Sequence, residues 1–116
     1  MLTIDMYSAP RAVTLVCAGR LVLGVEAETL RCMAIARPER RMVVDMEAVE
    51  GIDAAGLGLL VELHRRAVER AGQLVLANPT SRVRRLLALT KLNSVLDIAP
   101  ESEELRRLAQ QQAMSA

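Results

Sequence analysis

Over the first seven residues apolar and polar positions alternate, with Leu2, Ile4 and Met6 set against Thr3, Asp5 and Tyr7. Side chains on a strand point alternately to its two faces, so this period of two predicts an edge strand with one buried face. Ser8-Ala9-Pro10 suits a hairpin turn, and Val13 to Ala18 reads as a second strand. After Gly19 the period lengthens: Val25, Leu30, Met33 and Ala34 are assigned to one face of a helix from about Val25 to Ala36. That helix is expected to stop before Pro38, because proline disfavours helical backbone in the residue preceding it. Arg41 to Met46, with Met42-Val43-Val44 at its centre, has the short apolar run of a strand covered on both faces.

Asp53 is placed to cap a long helix running to about Ala71, with an apolar stripe of Leu57, Leu60, Val61, Leu63, Ala67 and Val68 and with Gly72 as its left-handed terminator. Leu74 to Ala77 is a further buried strand. Asn78 as cap and Pro79 in the first turn begin a helix whose apolar positions are Val83, Leu86 and Leu87. Val95 to Ile98 is a last short strand, and Pro100 to about Met114 a last helix, acidic in its first turns and basic later as the helix dipole favours. Strands alternating with helices imply right-handed crossovers and an α/β fold. The expectation is a single domain over 1–116, core about 2–110, with a mostly parallel central sheet of about five strands and about four helices.

Composition narrows the chemistry. Basic and acidic residues leave a formal net charge of +1, so no whole-molecule field draws the protein to nucleic acid or anionic lipid. One tyrosine, with no tryptophan or phenylalanine, removes the stacking platforms that single-stranded nucleic acid uses. Cys17 and Cys32 lack metal-ligand spacing and His64 is the sole histidine, so no metal site and no cofactor are expected, and both cysteines are read as small buried hydrophobes. No stretch approaches the ~20 apolar residues of a membrane span, and the start lacks a secretory pattern, so direct membrane insertion is not expected and the expected compartment is the cytoplasm.

The stretch Val43-Val44-Asp45-Met46, followed by Ile52-Asp53-Ala54-Ala55-Gly56-Leu57-Gly58, resembles the strand, loop and Asp-Ser-Ser-Gly-Leu-Gly or Asp-Ser-Ala-Gly-Leu-Gly helix start of STAS domains of the anti-sigma-factor antagonist family. Gly19-Arg20-Leu21 is similar to that family's glycine loop after the second strand. Gly72-Gln73-Leu74-Val75-Leu76, and Val83-Arg84-Arg85-Leu86-Leu87 with Leu92 and Val95, resemble its later landmarks in the same order. The resemblance runs from about Val13 to Leu108. It implies partner switching: a kinase-like anti-sigma factor phosphorylates the second serine of the motif, the unphosphorylated antagonist binds that factor, and the phosphorylated one releases it.

Two departures matter. Ala55 stands at the phosphorylated position with Ala54 beside it, and no serine or threonine lies between Thr29 and Thr80. Val22 replaces an acidic residue that many kinase substrates in the family carry after the glycine loop. The expectation is a non-enzymatic regulator that binds an anti-sigma factor, or another signalling protein with a kinase-like ATPase domain, without being switched by phosphorylation. Its expected contact surface is the 52–59 loop and helix start, with Asp53, Ala54, Ala55, Gly56, Leu57 and Gly58, flanked by Gly19 to Gly24, of which Arg20, Leu21 and Val22 are singled out; oligomers remain open. The alternative is an accessory STAS subunit of a membrane assembly, as in lipid-transporting ABC systems. Beside these stand plainer readings: Asp53 as a helix cap, Asp45 as an acceptor of loop amides, Gly56 and Gly58 as close-packing positions, His64 as structural, and Arg82, Arg84 and Arg85 as a solvated face.

Overall fold

The computed structural model describes residues 1–99, and the helix expected from Pro100 lies outside them. Strands β1 (Leu2–Ala9) and β2 (Ala12–Leu21) form the expected antiparallel hairpin, with Leu2 opposite Gly19 and Ala9 opposite Ala12, but β1 has no fully buried face: Leu2 and Ile4 are half-buried and Met6 is exposed. Next come α1 (Val25–Ile35), β3 (Arg41–Ile52), α2 (Ala54–Glu69), β4 (Gln73–Ala77), α3 (Ser81–Leu89), a 3-10 turn over Leu92–Ser94 and β5 (Asp97–Ile98). The five strands lie in the order of the chain, and from β2 onward each pairs parallel to the next. Among the described residues there are three α-helices rather than four.

Because the parallel strands step across the sheet in one direction, right-handed crossovers put the helices on the same face. The core lies beneath them, where Val13, Leu15, Met46, Leu30, Leu60, Leu76 and Leu87 belong to one buried cluster. Side by side on that face, α1 and α2 are bridged by Arg31, whose Nε lies 3.1 Å from Glu62 Oε1.

β3 does not end at Met46. It runs on to Ile52 and pairs with the end of β2, so the loop expected between strand and motif is strand. Its register slips twice, between Val16 and Ala18 of β2 and again between Gly19 and Arg20, with an extra β3 residue at each step. A bulge breaks the period of two. Met46 and Val49 therefore both point into the core although three residues apart, and the alternation that announces a strand is lost.

Several ends also differ in detail. The left-handed residue after α2 is Ala71, at φ 57°, not Gly72. Gly72 is needed for room instead, since a Cβ there would overlap the Arg40 carbonyl oxygen as β3 begins beside it. Asn78 is itself left-handed, at φ 52°, and the cap of α3 is Thr80, whose hydroxyl accepts from the Val83 amide at 3.2 Å. Val25 is exposed, because it is five and nine residues from Leu30 and Ala34 and at ~100° per residue falls on the opposite side of α1. Val68 is exposed as well, and Leu59 is buried in its place among the apolar positions of α2. Cys32 is exposed rather than buried.

Candidate functional site

Asp53 ties three elements together where β2 and β3 end. One carboxylate oxygen accepts from the Gly56 amide in the first turn of α2, and the other accepts from the Leu23 amide in the loop before α1, each at 2.9 Å. Its own amide donates to the Leu21 carbonyl at 3.4 Å, and its carbonyl accepts from Leu57 at 2.9 Å. The cap inferred from sequence is present, and it also anchors the β2–α1 loop beside the helix mouth. The Leu23 amide first, and then that of Gly56, hold the carboxyl below its ordinary value of 3.8.

A depressed folded-state value means the unfolded chain binds the proton more readily, so the stabilisation is complete above the unfolded-state value and is lost as pH falls through the folded one. We therefore expect the Tm gap between the wild type and Asp53→Asn to be constant above about pH 5 and to close in acid. Thermal melts at a series of pH values check this; a gap that persists undiminished in strong acid refutes the assignment.

Gly56 allows the mouth to sit so close. A Cβ on it would overlap the Leu21 carbonyl oxygen and lie 2.7 Å from Ile52 Cγ1. Gly58 differs: no described residue lies within 4 Å of where its Cβ would stand, so close packing among them does not explain it. The nine residues expected at the contact surface therefore separate into two layers. Ala54, Gly58 and Arg20 are exposed, and Asp53, Ala55 and Val22 are partly so. Leu21, Gly56 and Leu57 are buried and form the floor that holds the others, so their side chains do not offer the contact expected of them.

Leu23 and Val25 stand 77% and 79% exposed on either side of Gly24. They extend the mouth as an apolar rim, and the opposite-face position of Val25 was the signal that marks it. Together these residues present small side chains at the centre of the surface, apolar ones along one side, the carboxylate of Asp53 and the cation Arg20.

The remaining candidates lie elsewhere. Asp45 Oδ1 accepts from the Glu47 amide at 3.0 Å within the first bulge, which is a structural role. Burial, with a smaller push from Asp45, raises the Cys17 thiol to about 11, so it stays protonated at neutral pH and is a poor nucleophile. His64 makes no hydrogen bond to either cysteine among the described residues. Arg82 and Arg85 are exposed on α3, whereas Arg84 turns two of its guanidinium nitrogens inward, so the cluster is not one solvated face. Among the described residues no group of metal-ligating side chains occurs, and no helix is long and apolar enough to cross a membrane.

A family model described as STAS domain matches residues 3–105. The Thermotoga maritima protein TM1081 superposes with a TM-score of 0.78 at 20% identity, over 92% of this chain and 94% of that one. An anti-sigma factor antagonist from Mycobacterium paratuberculosis gives 0.74 at 18% identity, over 95% of each chain. The Bacillus cell fate determinant SpoIIAA in its phosphorylated form gives 0.68 at 21%, over 91% of this chain and 99% of that one. At such identities these structures speak for the fold.

Proposed function

The chain belongs to the STAS domain family, and from that premise we propose that it is a protein-binding regulator of the anti-sigma-factor antagonist kind, held permanently in its binding form. It acts in the cytoplasm as a docking protein and not as an enzyme. Its partner is an anti-sigma factor, or a related signalling protein with a kinase-like ATPase domain, that meets the mouth of α2.

The observation that carries this reading is Ala55. It sits in the first turn of α2, partly exposed beside the exposed Ala54 and Gly58, where the positive end of the helix dipole would tolerate a phosphate. A phosphate there would add a charge of about −2 to a contact surface and drive a docked partner away. A methyl group accepts no phosphate, so no kinase adds phosphate charge at this position of the mouth. Arg20 and the Leu23–Val25 rim supply the polar and apolar contacts around it.

The test is Ala55→Glu titrated calorimetrically against the cognate kinase-like factor. The added carboxylate suits a helix N-terminus, so the fold is expected to hold while affinity falls by about tenfold or more. Ala88→Glu, on the exposed side of α3, is expected to bind like the wild type. Equal affinity of Ala55→Glu and the wild type would remove this surface from the interaction.

A further inference from the structure

The end of the domain opposite the mouth holds a hollow of about 190 Å³, where α1 and α2 finish and β3 and β4 begin. With 16 residues in α2, the two sites stand about 24 Å apart along the helix. Met42, Leu63 and Leu74, all buried, form an apolar floor. The walls carry Arg37, Arg40, Arg66 and Arg70 against one acidic side chain, Glu39.

Two of those arginines are occupied. Arg37 pairs with Glu39 and, with Arg70 nearby, holds that carboxyl below its usual range. Arg70 donates to the carbonyls of Arg37 and Pro38, at 3.2 and 3.3 Å, and so clamps the α1–β3 connection onto α2. Arg40 and Arg66 are different: both are exposed on the hollow and neither has an ion-pair partner among the described residues.

Cations at helix C-termini are ordinary, since the carbonyl end of the dipole favours them. Here several of those carbonyls already accept from backbone amides. Ala36 donates to Cys32, Ala71 to Val68 and Gly72 to Ala67, and among the described residues neither the Arg40 nor the Arg66 guanidinium donates to a helix-end carbonyl. Planar guanidinium forks match phosphate and carboxylate oxygens in pairs, and apolar floors favour a body that leaves water.

We infer that this hollow binds a small organic anion, with its phosphate or carboxylate head on Arg40 and Arg66 and its apolar body on Met42, Leu63 and Leu74. The site is independent of partner docking at the mouth, so its failure would leave that reading untouched.

The experiment uses the full chain, ¹⁵N-labelled, titrated by NMR with phenyl phosphate and, separately, with benzoate. Saturable shifts are expected for amides near Arg40–Met42 and Ala67–Gly72, with a Kd near or below about 1 mM for at least one of the two probes. Phenol and inorganic phosphate are expected to bind at least about tenfold more weakly, since each has only half of the chemistry. Arg40→Ala with Arg66→Ala is expected to cost about tenfold or more while the remaining amide spectrum is unchanged, and the lysine pair is expected to restore part of it. The inference is overturned if neither probe gives saturable shifts, if the double alanine variant binds as the wild type does, if inorganic phosphate alone binds equally well, or if the shifts fall on residues 53–58.

Discussion

Replacing Leu60 with alanine is expected to lower the free energy of unfolding by about 3 to 4 kcal/mol, enough to remove a large part of what holds a domain of this size together. Leu60 is fully buried in α2, within the cluster where the helices meet the sheet. The loss has two parts: the transfer energy of the deleted carbons, and the void left because close-packed neighbours relax only partly. Leu89, 71% exposed on α3, supplies the contrast, since its truncation is expected to stay within about 0.5 kcal/mol. Urea unfolding at equal slope measures both. Similar midpoints for the two variants would contradict the packing described above.

The second large effect is expected at Gly56. Alanine there is expected to destabilise by about 1 to 3 kcal/mol even though alanine is the better helix former, because the added methyl meets a backbone carbonyl that cannot rotate away. The atoms in its path are the Leu21 carbonyl oxygen and the Leu21 and Ile52 side chains. Relief requires α2 to lift from the ends of β2 and β3, which stretches both hydrogen bonds of the Asp53 carboxylate. Stability and partner binding should therefore fall together. Two residues on, Gly58→Ala meets none of the described residues and is expected to gain about 0.5 to 1 kcal/mol from its lower unfolded-state entropy. Opposite signs for two glycines in one helical turn are a demanding outcome. Melts showing the same sign would mean that α2 sits at a different distance from the sheet.

Much of the architecture was legible because its signals are local. The alternation from Leu2 to Tyr7 announced β1, and Asp53 ahead of the Leu57, Leu60 and Leu63 stripe announced α2 and its cap. Reading failed where a distant strand intervened. Beyond Met46 the two bulges of β3 exist because β2 lies alongside with a shorter path, and nothing within residues 47–52 signals that. Gly72 looked like a helix terminator because terminators are commonly glycine; the true constraint is the Arg40 carbonyl, thirty-two positions earlier.

The candidate site shows the same division. That Ala55 cannot take a phosphate is a property of its side chain and needs no structure. That Leu21 and Leu57 are floor while Ala54, Gly58, Leu23 and Val25 are surface depends on which neighbours cover each of them.

By itself, then, the order of residues determined the element types, the α/β class, the cap at Asp53 and the missing hydroxyl at the helix mouth, since each follows from side-chain chemistry or from neighbours a few positions away. Tertiary structure alone decided the bulged register of β3, which residues of the mouth are floor and which are surface, and the convergence of Arg37, Arg40, Arg66 and Arg70 on one hollow. The physical reason is range: caps and periodicities act within one or two turns of chain, whereas register, exposure and charge convergence are set by contacts between segments far apart in sequence.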